Sequence, residues 1–347
     1  MTNFQNLTKL GFTPFFQRQM TLEEWESSIP ARVTEQHKSL VKLMSDTSEI
    51  QINLMPSMPD LVVGDWVLLD KESKFLRLLD RSSCFKRKSA GSAVDWQLIS
   101  SNVDTAFIVC SMNEDFNLNR IERYLSLAYS AETEPVIVLT KSDLVTDTEE
   151  WIAQIHAIDN NLAVVPINAL DEDCLSQLSA WLNIGKTIVL LGSSGVGKST
   201  LTNTLLGIDQ QQTGQIREGD DKGKHTTSFR SLVVLPSGGV VLDNPGMREL
   251  QLADCHDGIA SAFSDIEALS VECRFVDCRH DGEPNCAVQA AVQRGDLSSR
   301  RLENFQKLLR EEAFNSRTLA ARRANEKSFS KFVKNTVKET QKFKGRS

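Results

Sequence analysis

The feature that most constrains the fold of this chain is a glycine-rich stretch at residues 192–199, GSSGVGKS. It matches the phosphate-loop pattern G-x-x-x-x-G-K-[ST], follows the apolar run TIVLL and precedes the helix-like run TLTNTLLG. Glycines let such a loop wrap closely around a diphosphate, and the amides of the loop and of the helix N-terminus attract its charge. The pattern predicts a nucleotide-binding α/β domain; a glycine turn arising by chance is the alternative.

Within this loop, the Lys198 ammonium is expected to bridge the β and γ phosphates, and the Ser199 hydroxyl to ligate Mg²⁺. The predicted phosphate-loop contacts are Gly192, Ser193, Ser194, Gly195, Val196, Gly197, Lys198, Ser199 and Thr200.

Two earlier segments predict that the base is guanine. The motif T-K-S-D follows the strand-like run PVIVL, and the Asp143 carboxylate there can accept both guanine N1–H and N2–H₂, while Lys141 lies along the base. The run AVVPI is followed by N-A, where GTPases place a backbone amide against guanine O6. Asp143 could instead cap a helix, but two such loops at successive strand ends favour guanine over adenine. The predicted guanine contacts are Thr140, Lys141, Ser142, Asp143, Asn168 and Ala169.

A third group of residues fits a γ-phosphate sensor. Asp243 opens the motif D-N-P-G after the apolar run GGVVL, and it is expected to hold Mg²⁺ through water, while the Gly246 amide contacts the γ-phosphate. The polar stretch REGDDKGKHTTSF suits a loop that is ordered only by the γ-phosphate and Mg²⁺. Thr227 is the expected Mg²⁺ ligand in that loop, with Thr226 as second choice.

The catalytic residue is less directly indicated. Many GTPases carry a Gln after the D-x-x-G glycine to orient the attacking water, but Met247 stands there in this chain. His225 in the polar loop is the nearest candidate, because a neutral imidazole can orient or deprotonate water near pH 7. A loop histidine without a catalytic role is the alternative that remains open.

A cysteine-rich stretch, ECRFVDCRHDGEPNCAV, predicts a structural zinc site. Cys273, Cys278, His280 and Cys286 have the spacing C-x4-C-x-H-x5-C. Three thiolates and one imidazole complete a tetrahedral Zn²⁺ shell and leave no open position for catalysis. Disulfides are the alternative, and a cytoplasmic location would disfavour them.

The rest of the chain suggests four parts. We expect an N-terminal extension at 1–33, an RNA-binding OB-like β-barrel at 34–96, the α/β domain at 97–255 and a helical zinc-binding domain at 256–347. In the extension, Thr21 and Glu24 have the spacing of a capping box. In the barrel, CFKRKSAG places three basic residues beside Phe85 in an expected loop that could contact RNA.

Charge and hydropathy indicate where the protein is located and what kind of partner it contacts. Of the 347 residues, 24% are charged, no apolar run is long enough to span a membrane, and the N-terminus resembles no secretory signal, so a cytoplasmic protein is expected. The net charge is −7, yet residues 301–347 contain 13 Lys/Arg and 5 Asp/Glu. A basic tail on an acidic body suggests contact with a polyanion, although a solvated helix would also explain it.

The order of these parts closely resembles the RsgA family, whose members are circularly permuted GTPases of small ribosomal subunit biogenesis. The resemblance rests on the order of barrel, T-K-x-D, phosphate loop, H-T-T-S, D-x-P-G and zinc knot, and on the stretches VGDWV, NVDTAFIV, FNLNRIERYL, KHTTS and DCRHDGEPNCAV. It implies rRNA contacts, GTP hydrolysis stimulated by the small subunit, and His225 as the catalytic candidate. The sequence DNPGM and the pair Asn168-Ala169 depart from the family pattern.

The expected function is therefore that of a GTPase that binds the small subunit, needs Mg²⁺ with GTP and one structural Zn²⁺, and works as a monomer away from membranes. An RNA-binding assembly scaffold with a mainly structural guanine nucleotide is the alternative. A phosphate-loop ATPase or kinase is a third possibility, which competition between GDP and ADP would test.

Overall fold

The computed structural model describes residues 4–88, 96–208, 230–243, 252 and 254–316. The N-terminal part contains three short helices, α1 (Phe4–Lys9), α2 (Pro14–Gln17) and α3 (Leu22–Ser27). Five strands follow, β1 (Ile29–Gln36), β2 (Leu40–Met44), β3 (Glu49–Asn53), β4 (Trp66–Leu69) and β5 (Phe75–Leu78). A hairpin of β6 (Cys84–Lys88) and β7 (Trp96–Ser101) leads to the central domain.

The five strands β1 to β5 form the predicted small barrel sheet. β1 pairs antiparallel with both β2 and β4, and β3 and β5 extend these pairs. The β4–β5 hairpin turns at the charged stretch KESK. Helices α1 and α2 pack on this sheet, because Leu7 of α1 and Phe16 of α2 share a core with Trp66 of β4.

The predicted capping box begins α3. The Glu24 amide donates to Thr21 Oγ1 at 3.2 Å, and the Thr21 amide donates to Glu24 Oε2 at 2.8 Å. Two amides that lack helical acceptors are satisfied in this way.

The expectation of a basic loop at CFKRKSAG is wrong for its first half. Residues Cys84–Lys88 form β6, which pairs antiparallel with β7. The Phe85 side chain is 2% exposed and belongs to the central core, so it cannot stack on RNA bases. Lys86 forms an ion pair with Asp254 at 2.6 Å. The Phe85 ring is thus buried, whereas the neighbouring Lys86 and Arg87 side chains are only partly buried.

The central domain has the α/β pattern that the sequence predicts. Its elements are β8 (Thr105–Ser111), α4 (Leu118–Ser130), β9 (Glu134–Thr140), α5 (Glu149–His156), β10 (Ala163–Pro166), α6 (Asp173–Gln177), β11 (Thr187–Leu191), α7 (Lys198–Leu205), β12 (Arg230–Val234) and β13 (Val240–Asp243). The order β10-β9-β8-β11-β13 is parallel throughout, and its faces carry separate apolar cores. Every residue of β8 is buried, as expected for a strand covered on both faces.

The barrel and the central sheet are hydrogen-bonded into one sheet. β12 pairs antiparallel with β13 and also with β1, where Glu35 lies opposite Ser231. The order therefore continues from β13 through β12 to β1, β2 and β3. The barrel is held to the nucleotide domain by backbone hydrogen bonds as well as by the chain connection.

A buried arginine lies where the N-terminal part, the barrel and the central domain meet. The Arg32 side chain in β1 is 1% exposed. Its guanidinium donates to the carbonyls of Leu10, Gly64 and Asn102 at 2.5, 3.2 and 2.9 Å. It also donates to the hydroxyl of Thr187, the first residue of β11, at 2.9 Å. Burial lowers the pKa of Arg32 to about 10, so the group stays charged at neutral pH.

The C-terminal part is helical, as predicted. It contains α8 (His256–Ala262), α9 (Ser264–Ser270), α10 (Ala287–Arg294) and α11 (Ser299–Ser316). The apolar side chains of these helices join the core on one face of the central sheet. In the described part of the chain, no helix combines the length and apolarity needed to cross a membrane.

Candidate nucleotide and metal sites

The phosphate loop connects β11 to α7 at the carboxyl end of the parallel strands. A Cβ added at Gly192 would lie 2.4 Å from the Val109 carbonyl oxygen, so only glycine allows the loop to lie this close to β8. Gly197 precedes α7 with a φ of 97°. The Lys198 ammonium donates to the Gly192 carbonyl at 2.6 Å and to the Ser193 carbonyl. The Lys198 side chain thus lies against the loop that is predicted to bind the phosphates.

A threonine hydroxyl joins the predicted guanine loop to the phosphate loop. β9 ends at Thr140, whose Oγ1 lies 2.6 Å from the Val196 carbonyl oxygen and 3.2 Å from the Cys110 carbonyl oxygen. Thr140 and Val196 are 56 positions apart along the chain. β8, which carries Cys110, lies between β9 and β11 in the sheet. The permuted order of the motifs is therefore compatible with one continuous nucleotide site.

The loop after β9 presents Asp143 to solvent. Lys141 has a left-handed backbone (φ 63°), and a short 3₁₀ turn follows at Ser142–Leu144. Asp143 lies inside this turn and is exposed, whereas Lys141 holds the N-cap position. The structure therefore does not support the alternative that Asp143 caps a helix. The Ser142 amide donates to the Ile167 carbonyl at 3.2 Å and so connects this loop to the loop after β10.

The loop after β10 is fixed at both of its predicted residues. Asn168 Oδ1 accepts from the Leu170 amide at 3.0 Å, which tightens the turn. The Ala169 carbonyl accepts from Thr204 Oγ1 of α7 at 2.7 Å. Hydrogen bonds therefore link all three predicted loops. No motif marks Thr204, because its role depends on the packing of α7 against the next loop.

The remaining predicted residues of the nucleotide site lie outside the described residues. These are His225, Thr226, Thr227 and Gly246. For Asp243 the backbone is described, and it pairs with Ser231 at the end of β13.

The four predicted zinc ligands are brought together between α9 and α10. The ligand atoms of Cys273, Cys278, His280 and Cys286 all lie within 4.8 Å of one another. The Sγ atoms of Cys273 and Cys286 are 3.8 Å apart, and His280 Nδ1 lies 3.6 and 3.3 Å from them. Ligands of a tetrahedral Zn²⁺ would be about 3.8 Å apart for two sulfurs and about 3.5 Å for sulfur and nitrogen.

The surroundings of His280 favour metal binding through Nδ1. The Ser270 hydroxyl donates to the Ile266 carbonyl at 2.8 Å, so its lone pair accepts from His280 Nε2 at 3.0 Å. A proton on Nε2 leaves the Nδ1 lone pair directed at the thiols. Burial lowers the pKa of His280, which favours the neutral imidazole that a metal site requires. None of the seven cysteines is joined in a disulfide in this structure.

The chain is similar to known proteins over most of its length. A family model described as RsgA GTPase matches residues 78–253. A Vibrio parahaemolyticus protein named small ribosomal subunit biogenesis GTPase RsgA 2 is 52% identical over 336 residues, which cover 97% of this chain and 94% of the relative. A Xanthomonas axonopodis pv. citri protein named small ribosomal subunit biogenesis GTPase RsgA is 43% identical, with 85% and 84% covered.

Two solved structures share the fold. YjeQ from Thermotoga maritima is 24% identical with a TM-score of 0.61, covering 81% of this chain and 99% of that one. YloQ, described as a circularly permuted GTPase, is 23% identical with a TM-score of 0.59, covering 84% and 96%. Together with the identities over nearly the whole length, these matches show that the chain belongs to the RsgA family of circularly permuted GTPases.

Proposed function

We propose that this GTPase binds the small ribosomal subunit during late maturation of the subunit and hydrolyses GTP to GDP and phosphate. Binding to the subunit stimulates this hydrolysis. Relatives that are 43–52% identical are named for small-subunit biogenesis, which supports this partner. The observation that supports the nucleotide part of this proposal is the Thr140–Val196 hydrogen bond, since it joins the loop predicted to read the base to the loop predicted to bind the phosphates.

The roles of individual residues are part of the proposal. The base is read by the loops after β9 and β10, with Asp143 as the acceptor, and the phosphates are bound by residues 192–200. Ser199 is exposed at the start of α7, and its hydroxyl oxygen is a suitable Mg²⁺ ligand, together with Thr227 and Asp243. Mg²⁺ would neutralise charge on the phosphates, while His225 positions water and the Gly246 amide contacts the γ-phosphate.

The remaining parts of the proposal concern the setting. The metal in the Cys₃His cluster is Zn²⁺ with a structural role, and elemental analysis should find about one zinc per chain, lost in Cys286→Ser and kept in Cys84→Ser. The extension comprises residues 1–33, and the RNA-binding barrel comprises residues 34–96. The GTPase domain comprises residues 97–255, and the zinc domain comprises residues 256–347. The protein acts as a monomer in the cytoplasm, where its rRNA partner is assembled.

The test is GTP turnover by the intact protein with and without purified small subunits. We expect slow intrinsic turnover that subunits accelerate, and His225→Ala should lose most of the acceleration while His256→Ala, an exposed histidine of α8, keeps it. Equal turnover with and without subunits would instead support the scaffold alternative. The scaffold alternative is included because Met247 stands where many GTPases have Gln, and methionine cannot orient the attacking water.

A further inference from the structure

Gln306 of α11 is hydrogen-bonded to the backbone of a predicted metal ligand. Its side-chain amide donates to the His280 carbonyl at 2.8 Å and to the Arg279 carbonyl at 3.2 Å. The side-chain amide of Gln289, in the first turn of α10, donates to the same His280 carbonyl at 2.6 Å. Helices α10 and α11 therefore meet at one carbonyl oxygen of the metal loop, which comprises residues 273–286.

The conformation of the metal loop is expected to depend on the metal. Phe275 and Val276 are exposed, so neither side chain anchors the loop in a core. His280 and Asn285 have left-handed backbones, with φ angles of 58° and 59°, which residues with a Cβ rarely adopt. Ligation of a metal by the His280 imidazole offsets this conformational cost, because metal binding contributes directly to folding. A bound metal therefore also fixes the position of the His280 carbonyl.

The opposite face of α11 is held by a buried carboxylate of α4. Residues two positions apart on a helix point about 200° apart, so Asn304 lies across α11 from Gln306. Glu122 of α4 is 0% exposed, and its Oε2 accepts from the Asn304 amide at 2.5 Å. Its Oε1 accepts from Arg300 at 2.8 Å and from Arg301 at 2.9 Å. A buried charge is costly once its partners leave, so these contacts resist separation of α4 and α11.

The contact of α11 with the central domain continues toward the end of the helix. Arg123 of α4 forms a two-pronged ion pair with Glu311 at 2.6 and 2.7 Å. One turn later, the Asn315 amide donates to the Leu252 carbonyl at 2.7 Å. Helix α11 therefore lies between the metal loop, which it contacts through Gln306, and the central domain, which it contacts along most of its length.

We propose that Gln306 is a positioning residue that makes the docking of α11 on α4 depend on the metal. With metal bound, the His280 carbonyl is fixed and Gln306 holds α11 against the metal loop. Loss of the metal releases this carbonyl and loosens α11, while the central sheet stays folded. The coupling is reciprocal, so docking of α11 also strengthens metal binding. The inference rests on the zinc site proposed above.

Hydrogen exchange in α11 tests this link in the intact protein, with saturating zinc and after removal of zinc by a chelator. We expect removal of zinc to speed amide exchange in α11 about fivefold, as for the loss of one hydrogen bond, and to leave the buried strand β8 unchanged. Gln306→Met keeps the length of the side chain and removes its donor, so α11 should exchange at the faster rate even with zinc bound. Lys307→Met, at the exposed next position, should behave like the unmodified protein.

The two changes combined separate a metal link from a merely structural contact. Removal of zinc from Gln306→Met should add little to the exchange rate of α11, because both changes break the same contact. A further fivefold increase would show that Gln306 stabilises α11 independently of the metal. Equal exchange in zinc-loaded Gln306→Met and in the zinc-loaded unmodified protein would overturn the proposal, even if removal of zinc unfolds the whole chain. If elemental analysis finds no zinc in the unmodified protein, the proposed zinc site itself fails, and the inference fails with it.

Discussion

Single residues divide into those that a motif marks and those that only the folded chain reveals. Lys198, Asp143 and the four metal ligands stand out because their chemistry requires fixed residue types at fixed spacings. Thr140 belongs to its motif, but its bond to Val196 depends on how the strands are ordered. Ser270, which orients His280, carries no signal in the sequence, because a serine near a helix end is common.

Replacing Thr140 by valine tests the junction of the two loops. Valine keeps the shape and removes the hydroxyl, so the Val196 carbonyl loses its donor. A hydrogen bond of about 1 kcal/mol corresponds to roughly a fivefold loss of GDP affinity, measurable by calorimetry. Thr133→Val is the control, because the Thr133 hydroxyl donates to the Ala131 carbonyl, just before the opposite end of β9. Unchanged GDP affinity in Thr140→Val would show that the junction does not shape the site.

At the scale of elements, periodicity predicts strands and helices well and their surfaces less well. The apolar runs of β8, β9 and β11 are unmistakable, because strands covered on both faces contain few polar residues. β6 was expected to be a loop, because its basic residues obscure the buried Phe85. The packing of α1 and α2 on the barrel depends on aromatic contacts between distant segments, which no local pattern predicts.

The attachment of α3 to the barrel should depend on pH. Glu24 accepts hydrogen bonds from the Arg77 guanidinium and the Thr21 amide, which lower its pKa from 4.5 to about 2. Because the folded pKa lies below the unfolded value, the contact stabilises the folded state above about pH 4.5, and this stabilisation is lost as the pH falls through about 2.

NMR titration of the Glu24 carboxyl carbon measures this directly. The midpoint should lie near pH 2 in the unmodified protein and move toward 4.5 in Arg77→Met. Lys74→Met on the same hairpin, where Lys74 pairs with Glu72, should leave the midpoint in place. A midpoint near 4.5 in the unmodified protein would mean that the Arg77 pair does not persist in solution.

For the whole molecule, the main surprise is how tightly the parts are joined. The motif order predicts a barrel, a GTPase domain and a zinc site. It does not predict that β12 pairs with β1, or that Arg32 bonds to segments from residue 10 to residue 187. Pairings between strands almost two hundred positions apart depend on three-dimensional packing, which spacing along a sequence does not encode. The molecule therefore behaves as one hydrogen-bonded body across its domain borders.

Arg32→Met tests this junction. Methionine fills much of the space but leaves three carbonyls and the Thr187 hydroxyl without the donor they share. We expect the free energy of unfolding to fall by about 2–4 kcal/mol, and residues before β1 to become sensitive to protease. Arg18→Met, at an exposed position of the N-terminal part, should change neither. A stable, protease-resistant Arg32→Met protein would show that the sheet pairing suffices without the arginine.

The central claim is that loops distant in sequence form one guanine nucleotide site. Its most direct test is to measure the affinity of Asp143→Asn for GDP and for xanthosine diphosphate (XDP). Xanthine carries a carbonyl where guanine has its amino group, so an asparagine amide can donate to it while the aspartate cannot. We expect the unmodified protein to prefer GDP and Asp143→Asn to prefer XDP, with phosphate-loop binding retained in both. An Asp143→Asn protein with unchanged preference for GDP would contradict the claim that Asp143 and Lys198 bind the same nucleotide.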